Sequence, residues 1–304
     1  SDTVEIQSGF FNGFTTGTPL CARIVNSDQH SKDYSILADK MRPGHADYAG
    51  HVRYQGFNDY RGGGHFSGRL TAPLVFAGAV AKQALAQYGI VVGSHILQIN
   101  DIKEERFNPM GVSDAALAAL HAKKFAVMND AVGEKMQERI LQAKSELNSV
   151  GGVIEAIALH LPAGIGAPYF DSVESMLSHA LFSVPAVKGV EFGDGFGFAG
   201  LTGAEANDAL HYADGQVQAL TNHNGGITGG ITNGMPLVVR VAIKPTPSIA
   251  REQQTASLKE QADTTLAIVG RHDPCIVQRA VPVIEAVVAW TLWDLLLEAK
   301  KWEK

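Results

Sequence analysis

The chain has 304 residues, 45% hydrophobic and 18% charged, with a formal net charge of -6. That length buries a substantial core without disulfide staples, and the acidic balance argues against bulk nucleic-acid or acidic-membrane binding. The only two cysteines, Cys21 and Cys275, offer neither a disulfide framework nor a zinc pattern, which fits a reducing compartment.

Val4 to Phe11 alternates weakly and ends at Asn12-Gly13, a hairpin signal. Residues 15–19 read as a turn, 20–25 as a short strand, 33–41 as a short helix, and 42–69 as irregular backbone. Residues 71–88 have helical spacing of Ala and Leu and stop at Gly89. A strand is predicted over 90–99, helices over 113–124 and 130–147, and an apolar strand over 153–161. A helix over 171–181 and a short strand over 187–192 lead into Gly-rich segments at 193–200 and 225–234. A strong strand over 236–243 stops at Lys244-Pro245-Thr246-Pro247-Ser248. Residues 250–266 are polar and read as a loop with a helical piece, and 281–301 as a long amphipathic helix with a cationic end. That helix is interrupted by Glu285 and Asp294, so no apolar run of transmembrane length is predicted. Strands and helices mix throughout, with no repeat period and no Pro/Ser-rich linker. One α+β or α/β unit covering 1–304 is the expected organisation.

The segment most suggestive of chemistry is RPGHADYAGHVRYQGFNDYRGGGHFSGR, from Arg42 to Arg69. Cations, glycines and aromatic rings dominate it. Glycines let backbone amides converge on an anion, and guanidiniums supply charge-assisted hydrogen bonds. The bland reading is a Gly-rich surface loop with solvated arginines. Lys244 to Ser248 joins a lysine to two hydroxyls on a Pro-stiffened turn, suited to a phosphate or to a plain strand ending. Arg271-His272-Asp273-Pro274-Cys275 places a carboxylate beside two cations, either a base or a satisfied pair, and its spacing is wrong for tetrahedral zinc. Gly195 to Gly200 matches G-x-G-x-x-G, a weak signal that requires a long helix directly after it to mean a dinucleotide site. No metal site is expected.

Taken together, SGFFNGFTTGTPL (8–20), MRPGHADYAG (41–50), YRGGGHFSGR (60–69), AVKGVEFGDGF (186–196), NHNGGITGGITNGMP (222–236), KPTPSI (244–249) and GRHDPCIVQRAVPVIEA (270–286) resemble the chorismate synthase family, in family order and along the whole chain. The resemblance implies a single β-α-β sandwich-type fold with helices packed on antiparallel or mixed sheets. It implies a cytoplasmic homotetrameric lyase of the shikimate pathway that eliminates phosphate from 5-enolpyruvylshikimate 3-phosphate. Reduced FMN is required without net redox change, the flavin lending an electron transiently. Fungal members reduce their flavin with a nicotinamide (NADP), whereas here an external reductase or reductant is expected.

By the same resemblance His45 matches a histidine thought to protonate the reduced cofactor, and Asp273 a carboxylate acting as base at the flavin. Arg42, Ser67, Arg69 and Arg271 match substrate contacts. His65, Phe66, Ser67, Ala186, Gly229, Lys244, Pro245, Thr246, Pro247, Ser248 and Arg271 match FMN contacts. His65-Phe66 stands where the family usually has Arg-Ser, and Pro247 where it has Ser. The family's GESHG-like opening, with a second catalytic histidine, and its RRRPG-like run are not found, so the chain is expected to be N-terminally incomplete. Two other readings make different predictions. A non-catalytic flavin- or phosphate-binding relic would lack the first histidine, and a dinucleotide oxidoreductase would carry a long helix after Gly200.

Overall fold

The apolar runs predicted as strands at 90–99, 153–161 and 236–243 form the centre of the protein. A computed structural model describes residues 3–26, 37, 39–213, 215–268 and 273–300. It opens with β1 (Val4–Ser8) and a small hairpin, β2 (Phe10–Phe11) and β3 (Phe14–Thr15), before β4 (Cys21–Ile24) returns antiparallel to β1. The hairpin turns at Asn12-Gly13, as the dipeptide predicts. Then follow α1 (Asp47–Arg53), α2 (Thr71–Ala86), β5 (Val91–Ile99), β6 (Ile102–Lys103), α3 (Asp114–Ala122), α4 (Asp130–Ser145) and β7 (Gly152–Leu159). Next come α5 (Val173–Phe182), β8 (Val187–Phe192), the single turn α6 (Gly203–Ala206), the hairpins β9 (Leu210–Ala213)/β10 (Gln216–Ala219) and β11 (Ile227–Thr228)/β12 (Ile231–Thr232), and β13 (Leu237–Ile243). The hairpin β14 (Gln253–Ser257)/β15 (Ala262–Leu266) and the long α7 (Val277–Lys300) close the order.

The central sheet has five strands in the order β6-β5-β7-β13-β8, every neighbouring pair antiparallel. Period-2 alternation gives it two buried faces. Ile154, Ala156, Ala158, Val239 and Val241 join the main core, which also takes in Leu85 of α2, Leu177 of α5 and Ile284, Val287 and Val288 of α7. Ile157, Leu159 and Val238 turn the other way, onto Phe107 and Leu117 and Leu120 of α3. The helices α3, α4 and α5 start where Ser113, Asn129 and Ser172 cap free amides, as their sequences announce.

Several expectations are corrected. Residues 253–266 form a β-hairpin and not a loop with helix, because Lys40 bridges to Ser257 and Met41 N bonds Ala256 O, giving a polar segment an edge to pair with. The helix expected over 33–41 lies largely outside the described residues, and Lys40 is in that bridge. Within 42–69 the backbone is more regular than predicted: α1 is followed by 3-10 turns over Arg61–Phe66 and Gly68–Leu70. Finally, α7 is long and apolar enough to cross a membrane, but 67% of its most apolar stretch is buried inside the protein. Its Glu285 lies in the interior, accepting from Ser94 Oγ at 2.9 Å and paired with Lys82. This is a core helix of a helix-on-sheet architecture.

Candidate active site

The Arg42–Asp47 loop folds around its own carboxylate. Asp47 Oδ2 accepts from Arg42 N at 3.0 Å and Arg42 Nε at 2.8 Å, and Oδ1 accepts from Arg42 Nη2 at 2.7 Å. His45 Nδ1 lies 2.6 Å from Asp47 Oδ1. Arg42 Nη2 lies farther from the same nitrogen, at 3.1 Å, so the nearer carboxylate favours the tautomer with the proton on Nδ1 and turns Nε2 toward the open side. Nε2 has no hydrogen-bond partner among the described residues. Burial opposes ionisation of Asp47, but the hydrogen bonds from Arg42 and His45 outweigh it and hold the carboxyl well below the usual range. Gly44 takes φ +70, a turn that an L side chain adopts only with strain, and delivers His45 to this position.

A native carboxyl pulled down in this way stabilises the fold above the unfolded-state value of about 3.9, and the benefit fades as pH falls below that toward the native value. Urea midpoints of wild type and Asp47→Asn are therefore expected to differ at pH 7 and to draw closer only as the pH falls below about 3.9. A gap constant with pH would refute this role for the ionised carboxylate.

The loop is docked onto the turn that ends β13. Arg42 Nη1 donates to Ser248 Oγ at 3.2 Å, Lys244 Nζ donates to Gly44 O, and Gly44 faces Pro247. The backbone at 149–150 ties in the next segment: Ser149 Oγ donates to Thr246 O at 2.7 Å, and Val150 N donates to Pro274 O at 2.8 Å. Asp273 is thus held beside the same turn, its carboxylate 2.5 Å from Arg279 Nη1 in a partly exposed pair. Ala186 O accepts from Lys244 N at 2.9 Å, which brings Ala186 to the turn as well. Burial, followed by the charge of Lys188, lowers the pKa of Lys244.

The 65–69 segment reaches this cluster through α1. A Cβ on Gly50 would sit 2.6 Å from Phe66 Cε2, so only glycine admits the ring, and Tyr54 packs on it at 6.5 Å between centroids. Phe66 thus packs within the loop, beside the segment that carries His65 and Ser67. His65 follows the three glycines, Ser67 Oγ accepts from Arg69 N at 3.3 Å, and the Arg69 guanidinium makes no pairing among the described residues. Gly229 stands apart: it turns the β11/β12 hairpin, whose Gly230 O accepts from Val173 N at the start of α5. Arg271 lies outside the described residues.

Two features of this cluster fit a phosphorylated ligand. Lys244 has no carboxylate partner among the described residues, and Thr246 Oγ1 is buried with no hydrogen-bond partner. Gly195–Gly200, by contrast, forms a 3-10 turn followed only by the four-residue α6, which removes the dinucleotide reading. A surface cavity lined by Tyr169, Phe170, Ser175, Met176 and His179 contains none of the predicted site residues.

The family model for chorismate synthase matches residues 1–297. The chain belongs to the chorismate synthase family. A chorismate synthase from Thermococcus gammatolerans is 46% identical over 303 residues, covering 100% of this chain and 83% of the relative. One from Pyrococcus abyssi is 45% identical over 302 residues, covering 99% and 83%. One from Dehalococcoides mccartyi is 47% identical over 305 residues, covering 98% and 81%. A crystal structure of chorismate synthase superposes with a TM-score of 0.76 at 30% identity, covering 98% of this chain and 78% of that one. The function is accordingly that of chorismate synthase, a lyase of aromatic biosynthesis acting on a small-molecule substrate, and these relatives give no support to a non-catalytic relic. Sequence reasoning about the family motifs missed Asp47. The signal was present, a carboxylate two residues beyond a candidate acid–base histidine.

Proposed function

We propose that the chain converts 5-enolpyruvylshikimate 3-phosphate to chorismate and phosphate by 1,4-anti elimination with reduced FMN bound. It would work as one unit in a cytoplasmic homotetramer supplied with reduced flavin by an external reductase or reductant, NADP-linked or otherwise. The observation that carries this reading is the docking of the Arg42–Asp47 loop onto the Lys244–Ser248 turn, with the unpaired Thr246 hydroxyl beside it. Lys244, Thr246 and Ser248 would hold the cofactor's phosphate side, Ala186 and Pro245 to Pro247 would present backbone and ring edges, and His65 with Ser67 would close over it. Phe66, Gly229 and Arg271 remain proposed contacts.

When bound, the reduced flavin supplies the transient electron that no side chain can. Everything else falls to the chain's own groups. His45 Nε2, oriented by Asp47, moves a proton at the cofactor's edge. Asp273 is the proposed base, and its exposed pair with Arg279 is weak enough to be exchanged for a ligand contact. A departing phosphate next to the substrate's carboxylates needs fixed cations. Arg69 offers a guanidinium unpaired among the described residues, and Arg42 Nη1 retains donor capacity beyond Ser248.

The test is anaerobic incubation of the full-length protein with dithionite-reduced FMN and 5-enolpyruvylshikimate 3-phosphate. Phosphate and chorismate are expected in equal amounts, with the flavin still reduced at the end. Absence of phosphate release would overturn the reading.

A further inference from the structure

Strand β8 enters the central sheet irregularly. Gly189 pairs with Ala242 and Val187 with Ile243, so Lys188 is an extra residue with no cross-strand partner. Bulges of this kind re-aim a side chain out of the regular alternation, and they recur beside active sites. This one is fixed in place, because Ala186 just before it holds φ +75 and bonds Lys244 N. The bulge therefore lies against the start of the Lys244–Ser248 turn. Lys188 is exposed, and among the described residues it makes no ion pair or hydrogen bond. Its charge nevertheless reaches Lys244, which after burial is its second source of a lowered pKa. Register thus sets Lys188 at the end of β13 where the turn begins, Lys188 and Lys244 have no carboxylate partner among the described residues, and the Thr246 hydroxyl of the same turn is buried without a partner, an arrangement that an anion with several acceptor oxygens would complete.

Building on the flavin reading above, we infer that Lys188 is an anion-binding residue of this site, which with Lys244 and Thr246 grips a phosphomonoester dianion. The dianion is carried by the cofactor or by the substrate. Lys188 acts from outside the turn, as a point charge on a flexible stem, and the bulge is what aims it.

Lys188→Met keeps the stem and removes the charge at an exposed position, so folding is spared. The first measurement needs no flavin. Unfolding temperature is followed against added inorganic phosphate, at ionic strength held constant with chloride. Wild type is expected to gain stability with phosphate, and Lys188→Met to gain much less. Equal gains in the two proteins would overturn the proposal whatever the flavin does. The second measurement assigns the source. If the cofactor carries the dianion, Lys188→Met loses about tenfold or more in FMN affinity while riboflavin binding is unchanged, and Lys188→Arg restores most of the loss. If the substrate carries it, FMN binding holds and the KM for the phosphorylated substrate rises by a similar factor. A parallel fall for FMN and riboflavin would mean that Lys188 only supports the fold, and would also overturn the proposal. Wild-type protein that responds to phosphate but binds neither flavin would refute the flavin reading and leave the grip standing.

Discussion

His45→Ala is expected to slow phosphate release by about two orders of magnitude or more, the scale on which lost acid–base groups act. The geometry explains why the effect should be large and specific. His45 is half-buried in a loop whose other charged members, Arg42 and Asp47, already satisfy one another, so its removal leaves a shaped site without its exchangeable proton. Asp273→Ala should cost a similar factor, but for a different reason. Asp273 is partly exposed and, among the described residues, paired with Arg279 alone, so little stability is lost with it and the defect should lie in turnover. Asp47→Asn separates positioning from chemistry. The amide still occupies the loop, but it no longer fixes the proton on Nδ1, and the pH profile of turnover should move while the bound flavin remains. The measurement in each case is anaerobic single-turnover phosphate release, with flavin binding checked in parallel. Wild-type rates in His45→Ala or Asp273→Ala would remove that residue from the mechanism.

What could be read before the fold was known follows a physical boundary. The helices α2, α3 and α4 and the strands β5, β7 and β13 were legible because their own residues carry the period, the caps and the stops. The β14/β15 hairpin was not. Gln253 to Ser257 and Ala262 to Leu266 show no apolar alternation, and what holds them is remote in sequence: Thr255 Oγ1 donates to Met41 O, and Ser257 Oγ donates to Asp39. The short α1 was hidden for the same reason, since seven residues do not make a stable helix alone and its support comes from Arg42, Phe66 and Asp47. The site divides in the same way. Motif order supplied His45, Lys244 and Asp273; the structure docks the His45 loop on the Lys244–Ser248 turn, and Ser149 and Val150 tie that turn to Pro274. Lys188 sits within a quoted motif, yet nothing in the letters AVKG reports a bulge, which exists only through the register with β13.

Arg240→Leu is expected to destabilise the protein by about 3–5 kcal/mol, the usual cost of breaking a buried ion pair from one side. His95 on β5, Glu155 on β7, Arg240 on β13 and Glu191 on β8 fall on one register line across four strands. His95 Nε2 lies 3.0 Å from Glu155 Oε2, Arg240 Nη1 donates to Glu155 Oε1 at 3.2 Å, and Arg240 Nε donates to Glu191 Oε1 at 2.5 Å. Glu104 closes the line beside His95 Nδ1 at 2.5 Å and accepts from the amides of Met128 and Asn129. Burial opposes a charged His95, but the hydrogen bonds with Glu104 and Glu155 outweigh it and raise its pKa. Glu155 is likewise opposed by burial and held ionised by His95 and the Phe107 amide. Leucine at 240 would leave Glu191 without its cation and Glu155 with His95 alone, and would free Gly193 O, which Arg240 Nη2 now holds. A domain with a typical reserve of about 5–15 kcal/mol would lose a large part of it. Arg240→Lys keeps the charge but not the fork of donors, so it should fall between the two. Guanidinium unfolding midpoints compared at fixed m-value measure the effect. A loss below about 1 kcal/mol for Arg240→Leu would show that the line of charges is solvated and contributes little to the fold.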